Sequence, residues 1–290
     1  MIQAVQVMRT IAALMVLLFH AGDRILTEFG WSKDIVEFGK YGVDIFFVIS
    51  GFIMTFIHYD KVDSAKLFFI KRWIRIYPVY LEMLLLGFLV IWLGIDFRHK
   101  LISDFNYFDT LFLTSPGFNG NLILAVGWTL SFECWFYIIF GLSMSIFGKN
   151  FYRGIIIFFL VTLLAQLFFE NPPILLSWRN FEFCFGVLLG ILCCGNPKIK
   201  ERIMRLDNKI KYPAFMLLIG DASYSLYLSH IPLLEILSKI IVKVSSDKFV
   251  LINVFWAAIS IIIPVVLSIC NYRFIESKLI KYLRRKLITS

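Results

Sequence analysis

The sequence predicts an all-α, polytopic integral membrane protein, and its composition and the spacing of its apolar runs carry that prediction. Of the 290 residues, 59% are hydrophobic and only 17% are charged, and the mean hydropathy is +0.80. A soluble domain of this length would be roughly half apolar and a quarter charged. The excess apolar residues are gathered into separate runs of about the length that crosses a bilayer.

Eight apolar runs are predicted to span the membrane. They cover residues 4–21, 41–58, 76–95, 122–147, 154–169, 174–195, 212–242 and 249–270. The run 212–242 is too long for one straight crossing, so part of it is expected at the interface or in a loop. The stretch 101–118 is amphipathic and is expected to form an interfacial or re-entrant helix. No composition break divides the chain, so residues 1–290 are predicted to form a single domain.

The basic residues predict the orientation. With both termini in the cytoplasm, most of the 29 Lys and Arg residues fall on the inner side, as the positive-inside rule requires. The net charge of +9 is therefore explained by the membrane topology of the chain, and no nucleic-acid partner is predicted. The first run keeps Arg9 and lacks a clear cleavage site, so it is predicted as a membrane helix rather than a signal peptide. The five cysteines form no CxxC pair, and no metal site is predicted.

The first run, "MRTIAALMVLLFHAG", carries Arg9 near one end and His20 near the other. In an α-helix this spacing returns to within about 20° of the start and spans roughly 16 Å. Both side chains are therefore predicted on one face, with His20 in the outer half of the membrane. Because ionisable groups at depth are costly unless paired or wetted, the two predict a polar cavity along this helix. The alternative is that Arg9 snorkels to the headgroups and His20 makes a structural hydrogen bond.

Two further runs enter from the outside and carry carboxylates. "GKYGVDIFFVISGFIM" is predicted to place Asp44 at about the depth of His20, where a carboxylate would orient an imidazole base. "GWTLSFECWFYIIFG" carries Glu133 near mid-membrane, with Thr129 and Tyr137 one turn to either side.

The seventh run, "GDASYSLYLSHIPLL", places Ser223, Tyr227 and His230 on one helical face, with His230 in the outer half. Each intramembrane polar group alone is equally well explained as a structural contact. Polar groups from four helices at mid or outer depth together predict a reaction or transport site. Arg179 and Glu182, spaced i,i+3, are expected to neutralise one another.

The segment "FFIKRWIRIYP" places Lys71, Arg72 and Arg75 at the predicted cytoplasmic foot of the third helix. Arg72 and Arg75 share a face and are suited to clamp a phosphate group. The positive-inside rule alone would also put basic residues here, so both interpretations stay open.

Taken together, these motifs resemble the membrane-bound acyltransferase family 3, whose members O-acylate bacterial surface saccharides. The resemblance covers nearly the whole chain. It rests on the Arg9-to-His20 spacing and on five quoted segments in order: "GKYGVDIFFVISGFIM", "FFIKRWIRIYPVY", "GWTLSFECWFY", "DASYSLYLSHIPLL" and "YRFIESKL".

The resemblance implies a cytoplasmic acyl-CoA donor, most often acetyl-CoA, used as a co-substrate with no bound cofactor. It implies a saccharide hydroxyl as acceptor, on a polysaccharide, a lipopolysaccharide or a lipid-linked glycan, and a place in the bacterial inner membrane. It also implies a catalytic role for Arg9 and His20, and dependence on the Arg-x-x-Arg element Arg72 and Arg75. The family is usually described with ten spans, so up to ten are possible where eight are predicted here.

These expectations combine into a mechanism with open points. His20 takes the proton from a sugar hydroxyl that attacks the thioester, with an acyl-histidine intermediate as the alternative. Asp44 orients His20 or only pairs locally, and Arg9 binds polar groups of the donor or steadies charge near the thioester. Glu133 and Tyr137 either order the cavity or bind the acceptor.

Two other function classes compete with acyl transfer. A transporter or flippase of a saccharide or anionic solute would also need charged groups at depth, although the sequence lacks the internal repeats typical of such proteins. A rhomboid-type protease needs the motif Gly-x-Ser-Gly. Here Ser50 is followed by Gly51, but Val48 occupies the position of the first glycine.

Overall fold

The protein is a helical bundle, as seen in a computed structural model that describes residues 2–94, 104–114, 121–170, 173–244 and 250–288. In those ranges the regular structure is helical throughout, with no strand. The α-helices are α1 Gln3–Ala21, α2 Gly42–His58, α3 Ala65–Trp92, α4 Tyr107–Phe112, α5 Gly127–Phe147, α6 Tyr152–Phe168, α7 Asn180–Cys194, α8 Pro197–Lys209, α9 Ala214–Asp221, α10 Ser223–Val244, α11 Val250–Asn271 and α12 Ser277–Ile288. Short 3₁₀ and π segments extend several of them, including Gly22–Leu26 and Lys33–Tyr41.

Six helical segments in the described ranges are long and apolar enough to cross a membrane. They are Gln3–Leu26, Lys33–His58, Ala65–Trp92, Gly127–Asn150, Ser223–Lys243 and Leu251–Ile288. Helices α7 and α8 are bent by 99° and make a seventh if they count as one span, whereas α6 has 17 residues and is shorter than the others. The prediction of an all-helical integral membrane protein is confirmed. The number of eight spans and the cytoplasmic location of both termini stay predictions.

The third helix begins earlier than predicted. Ser64 caps α3 by accepting a hydrogen bond from the Leu67 amide, so the helix starts at Ala65 rather than at residue 76. Pro78 lies inside the helix, where a membrane helix tolerates it. The predicted start at residue 76 is thereby corrected, and the basic segment 71–75 is helical and lies within about the first three turns of α3.

The structure clarifies two stretches that the sequence left ambiguous. The run 212–242 is divided at Ala222 into α9 and α10, so it is not one straight crossing. The stretch 101–118 contains the helix α4, and its residues 101–103 and 115–118 lie outside the described residues. The hydroxyl of Tyr80 donates to the Thr110 carbonyl at 2.5 Å and holds α4 against α3.

Helix α1 is the central element on which the polar groups are arranged. A Cβ atom at Gly42 would lie 2.5 Å from the Ala12 carbonyl, so the start of α2 rests directly on the middle of α1. On another face, a Cβ atom at Gly220 would lie 2.3 Å from the Gln6 carbonyl, so the end of α9 rests near the start of α1. Both contacts need the absence of a side chain, and they set the heights of α2 and α10 relative to α1.

Candidate functional site

A cavity of about 450 Å³ lies between α1, α2, α3, α5, α10 and α12. Along α2 it extends from Val43 to Ile57, which corresponds to roughly 20 Å of helix. Most of the predicted site residues line it, namely Arg9, Arg72, Arg75, Glu133, Tyr137, Ser223 and Tyr227. A cavity therefore lies beside Arg9, but it does not extend along α1 to His20, which is not among its lining residues.

One end of the cavity is strongly basic. Arg9, Arg72 and Arg75 meet there with Lys281 and Arg284 of α12. Arg72 stacks over the Tyr137 ring at 5.6 Å, and its Nε atom is buried without a hydrogen-bond partner. A buried, unpaired guanidinium nitrogen is costly, so this end of the cavity is suited to receive an anion.

Two carboxylates hold the basic end in place. Glu276 is fully buried, accepts from Ser225 Oγ at 2.6 Å and pairs with Arg75 Nη1 at 3.4 Å. The second carboxylate, Asp221, accepts from Gln6 Nε2 at 2.5 Å. The amide oxygen of Gln6 in turn accepts from Arg9 Nη1 at 3.3 Å, so Gln6 connects Arg9 to Asp221.

The middle of the cavity contains a carboxylate with two hydroxyl donors. Tyr137 OH donates to Glu133 Oε1 at 2.5 Å, and Ser50 Oγ donates to the same oxygen at 2.9 Å. The two hydroxyl oxygens are 3.3 Å apart. Ser50, which the sequence raised only as a protease candidate, therefore belongs to the Glu133 network.

The far end of the cavity is closed by aromatic side chains. Tyr227 OH and Thr129 Oγ1 are 2.7 Å apart and share a hydrogen bond. Phe46 packs edge-on against Tyr227, with ring centroids 5.7 Å apart. Beyond this layer lies His230, whose ring centroid is 5.8 Å from that of Tyr227.

His20 and His230 form a pair of imidazoles on the other side of that layer, and neither is among the residues that line the cavity. Their ring centroids are 5.2 Å apart. Contacts of α1 with α9 near Gln6 and with α10 at His20 show that α1 and α10 run in the same direction. His230 Nδ1 lies 3.1 Å from the Leu226 carbonyl. Because that carbonyl can only accept, neutral His230 carries its proton on Nδ1 and presents Nε2 as an acceptor.

Two roles were left open for Asp44, orienting His20 or pairing locally, and in the structure Asp44 makes a local pair rather than one with His20. Because Gly42 abuts Ala12, the start of α2 lies about 12 Å below His20 along α1. Asp44 Oδ1 instead accepts from Arg179 Nη1 at 3.2 Å. The expected Arg179–Glu182 pair is present but longer, at 3.9 Å, so Asp44 is the nearer partner of Arg179.

Lys71 also differs from its prediction. Its Nζ atom pairs with Asp63 Oδ2 at 2.7 Å, and the residue is not among those that line the cavity. The two residues that do share the cavity-facing side of α3, Arg72 and Arg75, were predicted to share a face. A lysine between Ile70 and Arg72 points elsewhere because successive helical residues turn by about 100°.

Several cavity residues were not singled out in the sequence. They are Gln6, Asp221, Tyr224, Lys281 and Arg284. Gln6 could have been predicted from its position one turn before Arg9. Asp221 could have been predicted from its position in "GDASYS", within the seventh run. Lys281 and Arg284 were counted only as topological charge. Among the described residues, no group of three or more His, Cys, Asp or Glu side chains is placed to hold a metal ion.

Comparison with known proteins gives one family and a few relatives. The family described as Acyltransferase domain, Acyl_transf_3, matches residues 2–198. The chain is 27% identical over 273 residues to the exopolysaccharide production protein ExoZ of Rhizobium meliloti, covering 77% of this chain and 83% of that protein. It is 33% identical to an uncharacterised protein of Haemophilus influenzae over 44% of this chain and 57% of that protein.

A third relative is the peptidoglycan O-acetyltransferase OatA of Listeria monocytogenes. The identity is 27% over 49% of this chain, which corresponds to 24% of OatA. No solved structure matches the chain significantly. Because the family match runs from α1 into α8 and covers more than half of the residues, the chain belongs to the acyltransferase family 3 and is an acyltransferase of the membrane.

Proposed function

We propose that the protein transfers an acetyl group from cytoplasmic acetyl-CoA to a hydroxyl of a cell-surface or lipid-linked saccharide, in the bacterial inner membrane. The observation that carries this proposal is the arrangement along α1 and α10. A basic cavity end with Arg9 lies at one level, and the His20–His230 pair lies about 16 Å further along α1. The relatives named for exopolysaccharide production and peptidoglycan O-acetylation support a saccharide acceptor.

In this proposal the donor enters at the basic end. Arg9, Arg72 and Arg75 bind the phosphate groups of acetyl-CoA, with the buried Nε of Arg72 as one unsatisfied donor. The pantetheine arm follows the cavity past Glu133 and Tyr137, whose polar atoms suit its amide groups. The distance from Arg9 to His20 favours phosphate binding by Arg9 over a role beside the thioester.

His20 acts as the general base. It takes the proton from the sugar hydroxyl while the hydroxyl oxygen attacks the thioester carbonyl, which forms the new C–O bond. The tetrahedral intermediate then collapses, the C–S bond breaks, and the leaving thiolate receives the proton from the His20 imidazolium. The products are the O-acetylated saccharide and free coenzyme A thiol. To react, the thioester must pass the layer of Tyr227 and Phe46, so that layer opens when donor and acceptor are bound.

His230 takes over the orienting role that the sequence assigned to Asp44. Its Nδ1 proton is held by the Leu226 carbonyl, and its Nε2 atom is buried and has no hydrogen bond within the described residues. The two ring centroids are 5.2 Å apart, and in the reacting complex His230 Nε2 would accept an N–H from one nitrogen of His20. That hydrogen bond would set the tautomer of His20, so that its second nitrogen is the one that takes the proton from the substrate.

A test is the release of free thiol from acetyl-CoA by the purified protein in detergent, with and without a lipid-linked glycan extract. We expect glycan-dependent release by the wild type and at least a hundredfold loss in His20→Ala, in the range that removal of a general base costs, roughly 10²–10⁴-fold. His58→Gln is the matched control, because His58 is a buried histidine that packs on Phe68 and Phe140.

The outcomes separate the competing functions. Thiol release by His20→Ala at the wild-type rate, with the variant folded by size-exclusion chromatography, would refute the role of His20. Solute uptake into proteoliposomes without acyl-CoA, and no thiol release under any condition, would support the transporter alternative. A radiolabelled acetyl group that stays on the protein after denaturation, and only when His20 is present, would replace base catalysis by an acyl-histidine intermediate.

A further inference from the structure

The C-terminal helix α12 contributes to the cavity although it lies beyond the residues that match the family. Helix α12, "SKLIKYLRRKLI", is amphipathic and packs against α3. Its Ile280 is buried and lines the cavity, which fixes the rotation of the helix. Lys281 and Arg284, spaced i,i+3, share a helical face and line the same end of the cavity.

The two carboxylates at this end, Glu276 and Asp221, balance only part of its positive charge. Arg284 is close enough to Arg75 and Arg72 for their positive charges to repel it. Within the described residues, no carboxylate lies at ion-pair distance from Arg72, Lys281 or Arg284. Glu276 pairs with Arg75 alone, and Asp221 accepts its hydrogen bond from Gln6.

Lys281 and Arg284 are exposed at the edge of the cavity, whereas Arg72 is partly buried within it. Like charges gathered at one place repel one another, and an anion with several charges that binds among them relieves this repulsion. The buried Nε atom of Arg72 has no hydrogen-bond partner, and such an anion would also accept its hydrogen bond. Arg72 belongs to α3 and Arg284 to α12, so an anion at this point would contact two helices that are far apart in the chain. Basic side chains from two helices around a buried guanidinium nitrogen that has no partner are an arrangement that fits a polyphosphate group.

We propose that Lys281 and Arg284 of α12 bind the phosphorylated nucleotide end of the CoA thioester and complete the site begun by Arg72 and Arg75. This inference rests on the proposed function and adds α12 as a specificity element for the nucleotide. A lipid phosphate has the same charge chemistry, but its hydrocarbon tails would lie against the Glu133 carboxylate and its two hydroxyl partners and could make no hydrogen bond with them. The amide groups of a pantetheine arm can hydrogen-bond there.

The test is binding of adenosine 3′,5′-bisphosphate, the nucleotide fragment without the thioester arm, to the full-length protein in nanodiscs of neutral lipid by calorimetry. We expect Lys281→Ala/Arg284→Ala to weaken binding roughly tenfold or more, since two charge-assisted contacts are lost. The matched control is Lys278→Ala/Lys286→Ala, which removes the same charge from α12. Lys278 and Lys286 lie over the rings of Phe274 and Tyr282 and are not among the cavity-lining residues.

Three results would overturn the inference. Equal weakening in both double variants would mean that α12 acts only through its net charge. No binding of the nucleotide to the wild type would mean that this end is not a nucleotide site. Binding of phosphatidylglycerol vesicles that depends on Lys281 and Arg284, without nucleotide binding, would assign the site to lipid. The thiol-release assay on the wild type reports separately on acyl transfer, so failure of the nucleotide site and failure of the proposed function are distinguishable.

Discussion

The Glu133 network yields a quantitative prediction that depends only on the geometry. Ser50 Oγ and Tyr137 OH both donate to Glu133 Oε1, at 2.9 and 2.5 Å. Glu133→Gln keeps the shape and the acceptor oxygen but removes the charge. We expect it to destabilise the protein, because both hydroxyls then donate to a neutral amide oxygen.

The magnitude follows from the difference between charged and neutral hydrogen bonds. A hydrogen bond to a charged group contributes about 1.5–3 kcal/mol, and a neutral one about 0.5–1.5 kcal/mol. Two such bonds therefore place the cost of Glu133→Gln at about 2 kcal/mol. Ser50→Ala should cost more in the wild type than in Glu133→Gln, and the coupling free energy should be about 1 kcal/mol.

The assay is a double-mutant cycle of the free energy of unfolding, measured by SDS titration in mixed micelles. The matched control is Ser145→Ala on the same helix, because Ser145 Oγ donates to the Gly141 carbonyl of its own helix at 2.8 Å. Ser145 should show no coupling to Glu133. A coupling below about 0.3 kcal/mol between Ser50 and Glu133, within the additivity of independent sites, would refute the network.

Two further predictions concern packing and the corrected Asp44 contact. Gly186→Ala should lower the free energy of unfolding by about 1–3 kcal/mol, because the new Cβ would lie 2.1 Å from the Val48 carbonyl on α2. A melting temperature in detergent equal to that of the wild type would contradict this packing. Asp44→Asn should keep most of the thiol-release activity and change stability by no more than about 1 kcal/mol, because the Asp44–Arg179 pair is about 30% exposed. Activity as low as that of His20→Ala would restore the orienting role to Asp44.

The sequence predicted some contacts because they lie within one helix. Arg72 and Arg75 line the cavity together because three residues make nearly one turn. Glu133 and Tyr137 are hydrogen-bonded for the same reason, one turn apart on α5. His20 and His230 were predicted at a similar level, and their rings are adjacent because α1 and α10 run in the same direction beside each other.

Contacts between helices were predicted less well, since they depend on relative height and rotation. The pairing of Asp44 with His20 assumed that α2 starts at the outer membrane surface, whereas the 3₁₀ segment Lys33–Tyr41 occupies that level and α2 begins lower. Likewise, Lys71 was grouped with Arg72 from adjacency in the chain, although Asp63 holds it outside the cavity.

The class of protein follows from the sequence alone, because apolar runs of bilayer length are local properties of the chain. The sequence also predicts the spacing of polar groups along each helix, since helical rise is nearly constant. Which of these groups meet depends on how the helices pack. Close contacts at Gly42 and Gly220 set the heights of the helices, and the packing of Ile280 brings Lys281 and Arg284 to the cavity. Such contacts join residues far apart in the chain, and their geometry depends on the packing of the whole bundle.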